Sequence, residues 1–291
     1  LASLAIWIST TLYLYAAVLR RIVPDSLIYL LAIAFPGALQ NILHGQNGFL
    51  TASLLGWGLL LLQGNPLAGG LILGLLSYKP HLAILVFVAL VAGRYWKALG
   101  GAFVSAALLA VSSILFFDLD LWLAFKQQMP FVTSLIETGY LPWAKLSTIF
   151  ALGMLLNIGV KASYAIQGVF TVVITLAVFW VWYKKNLSLS LKIPFLVASI
   201  FLITPYAFQY DLAILALAMA WYGWEAHTHG WKPYEKLTLL IMWIMPLFND
   251  PLAKLVNIQI VPIVLLVFLA LVLRRILSAI EKDNAAGSMS I

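Results

Sequence analysis

The chain has no cysteine and very little charge: of 291 residues, only 9% are Asp, Glu, Lys or Arg. Without cysteine, disulfides and thiolate metal sites are excluded outright. With so little charge the chain cannot cover a water-facing surface, since soluble domains carry roughly 25% charged residues. No run of lysine or arginine is long enough to form a basic patch, so nucleic acid is not an expected partner despite the net charge of +7. The Walker loop, the Gly-x-Ser-x-Gly elbow, the His-Glu-x-x-His motif and the glycine-rich dinucleotide motif are all missing, which leaves soluble nucleotide chemistry without a home. The first residue is Leu1 rather than Met, and no signal-peptide pattern precedes the first apolar run. A start within a longer protein is therefore expected.

Apolar residues fill the space that charge leaves. They make up 64% of the chain, with eleven Trp and twelve Tyr suited to interfacial belts. Mean hydropathy is +1.02. The expected class is all-α, a polytopic transmembrane helical bundle. Uncharged stretches give the spans: 1–19, 26–43 with an interruption at Pro36-Gly37, 45–78 divided by Gly64-Asn65-Pro66, 80–93, 98–117, 162–183, 193–210, 212–224, 237–249 and 255–273. A crossing takes roughly 20 residues, fewer where flanking side chains snorkel, so about ten spans are expected. Residues 1–277 read as one transmembrane domain and 278–291 as a flexible cytoplasmic tail.

Basic residues orient the bundle. With Arg20 and Arg21 inside, the positive-inside rule is met only if the apolar piece 146–160 does not cross. That piece is therefore expected to be a re-entrant or interfacial helix. Twelve basic residues then lie inside and five outside, the five being Lys79, Lys126, Lys145, Lys161 and Lys254. The segment after Asp118 is amphipathic, with Leu119, Leu121, Trp122 and Phe125 alternating with Asp120, Lys126 and Gln127, and it suits the headgroup plane.

This topology gathers the chemically varied residues on one face. His44, Gln46 and Asn47 stand at one mouth of an apolar hairpin, and Lys79 and His81 at the other. Tyr206, Tyr210 and Asp211 share that face. Ionisable groups at membrane depth are costly unless they meet water, headgroups or substrate, which makes these seven binding residues and Asp211 the candidate site. Each also has a plain structural reading. Lys79 can snorkel to headgroups, the histidines can be satisfied by backbone or water, and Asn47 and Asp211 can act as helix caps. Asn249-Asp250-Pro251 reads as a turn. Asp118-x-Asp120 and the group Glu225, His227 and His229 have weak metal-site patterns, and no metal ligand and no cofactor are assigned to the site.

The succession Gly45-Gln46-Asn47-Gly48, a leucine-rich helix, Ala68-Gly69-Gly70-Leu71-Ile72-Leu73-Gly74 and Lys79-Pro80 resembles glycosyltransferase family 87. The likeness continues through Arg94-Tyr95-Trp96-Lys97-Ala98-Leu99, Thr204-Pro205-Tyr206 and Tyr210-Asp211. It implies a GT-C-like membrane enzyme that takes a hexose, often mannose, from a polyprenyl-phosphate carrier to a lipid or glycan acceptor. An active site on the outer face of a bacterial-type plasma membrane would follow. The resemblance places the main catalytic acid in a first outer loop ahead of Leu1, and the aromatic-Pro-Pro signature that follows that loop is absent. The chain thus resembles a member lacking its first span and first outer loop. As a whole gene product it is expected to be inactive; as a fragment, the missing piece supplies the base.

On this reading Lys79 meets the phosphate, and Gln46 and Asn47 bind sugar hydroxyls or phosphate oxygens. His44 and His81 assist the phosphate or orient the acceptor. Tyr206 stacks on the sugar, and Asp211 holds hydroxyls or serves as a secondary base. A transporter or lipid flippase is the competing class, because helices broken at Pro36-Gly37, Gly64-Asn65-Pro66, Pro205 and Pro246 suit exposed backbone. Against it, the polar groups gather at one interface rather than at mid-membrane, and no inverted repeat is visible.

Overall fold

In lipid an apolar run satisfies its backbone only as a helix or a closed barrel, and this chain takes the first route. A computed structural model describes residues 2–288, with side chains through residue 285. Its helices are α1 (Ala2–Ile22), α2 (Leu27–Ala34), α3 (Pro36–Leu43), α4 (Gly48–Leu60), α5 (Pro66–Gly74), α6 (Pro80–Ala92), α7 (Trp96–Glu137), α8 (Ile149–Leu155), α9 (Val160–Tyr183), α10 (Leu189–Ile203), α11 (Leu215–His229), α12 (Glu235–Val256) and α13 (Ile260–Ser288). Three 3₁₀ turns, Leu75–Tyr78, Trp143–Lys145 and Gln209–Ile214, join them. Among the described residues no strand occurs, only one antiparallel bridge between Leu146 and Phe208.

Five helices, α1, α7, α9, α12 and α13, are long and apolar enough to cross a membrane. The helices α4, α6 and α10 are apolar but only 13, 13 and 15 residues long. At 1.5 Å per residue each rises roughly 20 Å, short of the roughly 30 Å hydrocarbon core. The centre of the bundle is α10, where every residue from Leu191 to Ile203 is buried. It packs against α9, α11, α13 and α6.

Prolines set most of the breaks. Pro36, Pro66 and Pro80 each open a helix at its first position, where the missing N–H costs nothing. Phe35, forced out of the helical region by Pro36, is extended (ψ 122°) and splits the expected span 26–43 into α2 and α3. Asn65 caps α5 by accepting from the Ala68 N–H at 3.1 Å, as the Gly-Asn-Pro turn suggests. The piece 146–160 contributes only the seven-residue α8, too short to cross.

Several expectations give way. The span 193–210 ends at Ile203, because Thr204 precedes Pro205 and adopts an extended conformation. Residues 204–208 therefore lie outside any helix. Asn249-Asp250-Pro251 is not a turn but the interior of α12. Asn249 is fully buried, its Nδ2 donating to the Ala144 carbonyl at 3.3 Å, and Asp250 pairs with Lys254 at 2.6 Å one turn on. The real break falls at Asn257, in the left-handed region at φ 54°. From Ser278, where the tail was expected, α13 continues as helix to Ser288, and the Asn186 Nδ2 donates to Asp283 at 2.6 Å. Residues 289–291 of that tail lie outside the described residues.

Asp118 (φ 61°, ψ 163°) divides α7 into two arms. The Trp122 indole N–H donates to the Ser113 hydroxyl at 2.8 Å, so the second arm turns back beside the end of the first. Its apolar residues, including Phe125 and Phe131, are exposed, as an arm resting on lipid would require. The first arm packs on α5 backbone to backbone. A Cβ on Gly70 would stand 1.9 Å from the Ala98 carbonyl oxygen, and one on Gly101 would stand 2.6 Å from that of Leu67. Small residues at a transmembrane seam permit this approach.

The two ends of the bundle differ. At one end Arg94 reaches Tyr183, Ser190 reaches Glu225, and Glu235 is clamped by Arg275. Glu235 is fully buried. It accepts from the Arg275 Nε at 2.7 Å, the Tyr222 hydroxyl at 2.8 Å and the Lys232 N–H at 2.8 Å. This network fastens the α11–α12 turn to α13. Most of the basic residues expected inside gather at this end, and the candidate site residues lie at the other. Gly70→Ala should lower stability by about 1–3 kcal/mol through overpacking, and Glu235→Ala by about 3–5 kcal/mol through a stranded buried Arg275. Thermal unfolding in detergent checks both, and a Glu235→Ala protein as stable as its parent would contradict the clamp.

Candidate active site

Lys79 ends the 3₁₀ turn Leu75–Tyr78 and stands at the N-cap of α6, its backbone fixed by the following Pro80. Asp211 is the third residue of the turn Gln209–Ile214. The two meet: Lys79 Nζ lies 2.6 Å from Asp211 Oδ1, with side-chain exposures of 13% and 3%. A second bond, from the Phe208 N–H to Asp211 Oδ2 at 3.4 Å, closes the turn locally. Residues 132 positions apart in the chain are thus tied by one charge-assisted bond, of the stronger class of hydrogen bonds.

Aromatic rings surround the pair. His81 meets the Tyr206 ring edge-on at 5.5 Å between centroids, Tyr206 meets Phe208 at 5.2 Å, and Phe208 stacks on Tyr210 at 5.3 Å. Tyr210 then reaches His44 at 5.8 Å. Lys79 Nζ sits 5.6 Å from the centre of the Tyr210 ring, a cation–π contact. The chain can form this arc because Thr204 and Phe208 are extended on either side of a bend at Pro205 and the rings stand at alternate positions, 206, 208 and 210. The Thr204 hydroxyl pins the bend by accepting from the Tyr206 N–H at 3.1 Å. Burial, reinforced by the negative charge of Asp211, pushes the Tyr206 and Tyr210 phenols up. Both remain O–H donors at neutral pH.

The structure therefore brings together His44, Lys79, His81, Tyr206, Tyr210 and Asp211. Asn47 stands at the N-cap of α4 but caps nothing with its side chain. Its buried Oδ1 has no hydrogen-bond partner among the described residues. Gln46 lies in the same loop, held by its backbone N–H donating to the Asn41 carbonyl at 3.1 Å; its side chain enters none of these contacts.

Three residues outside the expected set belong to the same place. Asn41 is fully buried in α3 and accepts from the Gly48 N–H at 2.8 Å through Oδ1, while its Nδ2 has no partner among the described residues. Gln209, also buried, has an unpartnered Oε1 beside Tyr210. The Tyr78 hydroxyl pairs with that of Thr51 at 2.5 Å. Gly48 is the joint of this arrangement: a Cβ there would stand 2.7 Å from Asn41 Oδ1 and 2.8 Å from the Tyr210 carbonyl oxygen. Only glycine lets α3, α4 and the Gln209–Ile214 turn close. The sequence signal for this place is the amide of Asn41 inside the uncharged span 26–43, ahead of the polar loop rather than in it.

A second layer holds the arc from behind. Leu146 bridges Phe208, and the Ser147 N–H donates to the Ala207 carbonyl at 2.8 Å. Gln259 Nε2 donates to the Leu146 carbonyl at 2.6 Å. The weak metal patterns do not converge: Glu225 takes Ser190 and His229, whereas His227 stacks on Trp224 at 5.5 Å. This group lies at the opposite end of α11.

The model of glycosyltransferase family 87 matches residues 1–205, more than half of the chain. This chain belongs to glycosyltransferase family 87. No curated protein and no solved structure matches it. The match makes the chain a membrane glycosyltransferase, an enzyme that transfers a sugar. It takes in His44, Gln46, Asn47, Lys79 and His81 and stops at Pro205. Tyr206, Tyr210 and Asp211 enter the site by contact, each touching a matched residue. In this family 87 chain the Lys79–Asp211 bond can be measured by a double-mutant cycle. Lys79→Met and Asp211→Asn should each destabilise, and the double variant should fall short of their sum by about 1–3 kcal/mol. Strict additivity in detergent unfolding would mean the pair carries no coupling.

Proposed function

We propose that this family 87 glycosyltransferase takes a hexose, mannose in the first instance, from a polyprenyl-phosphate donor and gives it to a lipid or glycan acceptor on the outer face of a plasma membrane. The observation that carries the reading is the half-buried Lys79 ammonium, held by Asp211 inside an arc of aromatic rings at one end of a membrane bundle. A lipid-linked donor reaches such a site from the bilayer, which accounts for the missing nucleotide-binding motif.

The transfer forms a bond between an acceptor oxygen and the anomeric carbon and breaks the bond from that carbon to the phosphate oxygen. The departing phosphate keeps the electron pair, so it needs positive partners, and the acceptor hydroxyl loses a proton, so it needs a base. Lys79 supplies the charge as a compact ammonium. His44 and His81 flank it through Tyr210 and Tyr206 and assist the phosphate or orient the acceptor. Tyr206 offers the sugar a flat face, and Tyr210 a phenol donor beside Lys79. The amides of Gln46 and Asn47, joined by Asn41 and Gln209, suit sugar hydroxyls, which both donate and accept.

Asp211 has two tasks in this scheme. It aims Lys79 while the site is empty of phosphate, and it is freed as a secondary base when a phosphate draws the ammonium away. The positive-inside count supports the outer-face assignment.

The test is transfer from a polyprenyl-phosphate hexose in vesicles carrying the purified enzyme. Lys79→Ala should reduce kcat by about 10²-fold or more in protein that still inserts and stays folded at the assay temperature, with its melting temperature lowered by the loss of the Asp211 pair. Transfer at the parental rate would remove Lys79 from the phosphate role. Movement of the donor across the bilayer without any sugar transfer would instead favour a flippase.

A further inference from the structure

The bundle holds a cavity that the transfer site does not use. It has a volume of about 330 Å³ and lies between the end of α1, α2, α11 and α12. Asp211 and His227 are separated by the length of α11, roughly 20 Å at helical rise, so this cavity opens at the end opposite the Lys79–Asp211 pair. Its inner wall is apolar and buried, built on Ala32, Phe35 and Leu19. Its mouth is polar and exposed, formed by Asp25, His227 and Trp231. Three tryptophans, Trp224, Trp231 and Trp243, line the passage between the two. Indole rings favour the boundary between headgroups and chains.

We infer that this cavity binds one acyl chain of an amine-headed phospholipid from the leaflet opposite the transfer site, with the headgroup at Asp25 and His227. Three observations carry the choice of occupant. First, the gradient from an apolar floor to a polar mouth matches the gradient of a lipid and not that of a soluble metabolite. Second, two of the walls, α1 and α12, are membrane-length helices, so a lateral cavity beside the exposed α2 residues Leu27 and Leu31 opens onto lipid. Third, the charge at the mouth is complementary to a zwitterion. The Asp25 carboxylate, with one oxygen accepting from the Leu27 N–H at 2.9 Å, offers a partner for a primary ammonium. Arg20, whose Nη1 donates to the carbonyl of the lining residue Val23 at 3.5 Å, suits the adjoining phosphate. A lipid seated here ties α1 and α2 to α11 and α12, filling space that side chains leave open.

The inference does not depend on the donor or acceptor proposed above. Gly223 lines the cavity, and a Cβ there would meet nothing nearer than Leu239 Cδ1 at 3.7 Å. Gly223→Leu can therefore fill the space without forcing the backbone. The purified full chain, stripped of lipid in detergent, is offered phosphatidylethanolamine or phosphatidylglycerol, and bound lipid is counted by native mass spectrometry. The parent should retain phosphatidylethanolamine, and Gly223→Leu should lose it by about tenfold or more, a change worth about 1.4 kcal/mol. Its melting temperature without lipid should match or exceed that of the parent. Asp25→Asn, which keeps the bond from Leu27, should still bind lipid but lose the preference for the amine headgroup. Equal retention by Gly223→Leu and the parent would overturn the cavity assignment. Equal binding of the two lipids by the parent would overturn the headgroup assignment.

Discussion

One bond between a lysine and an aspartate organises the active end of this protein. Neither partner is stable there alone, since a charge taken out of water costs several kcal/mol unless another charge answers it. Lys79 reaches its position because Pro80 fixes the start of α6, and Asp211 because Pro205 ends α10 early and leaves a loop that turns back. The aromatic arc depends on both. Were either proline-defined break to move by one turn, the ammonium would lose its carboxylate and the rings their register.

The same bond sets what the site can do. An ammonium already engaged by a carboxylate is a guarded charge: only a group that answers it better than Asp211 displaces that partner. Phenols kept protonated by burial and by Asp211 add donors without adding charge.

Much of this was legible in the sequence, and the rest was hidden for identifiable reasons. Pro66, Pro80 and the pair Arg20-Arg21 marked breaks correctly because a local rule decides them. Six of the eight candidate residues met because a one-sided distribution of polar groups in an apolar chain leaves them little choice. Asn249-Asp250-Pro251 misled because its turn chemistry is overridden by tertiary bonds, those of Asn249 to the Ala144 carbonyl and of Asp250 to Lys254. Asn41 and Gln209 stayed hidden because burial, not type, makes them notable, and burial depends on which helices meet. The Lys79–Asp211 bond itself joins residues 132 positions apart and has no local signature.

The seam between α5 and α7 has a different consequence. Gly70 and Gly101 bring two backbones into contact without any large side chain between them. Such a seam gains little from expelling water, because both of its faces would otherwise meet lipid tails as apolar as themselves. Its cohesion is a matter of fit alone. The hairpin that carries Lys79 to the site is therefore held by shape, and shape of this kind is indifferent to salt and to the ordering of water. The charged end of the molecule can respond to its surroundings while the support beneath it does not.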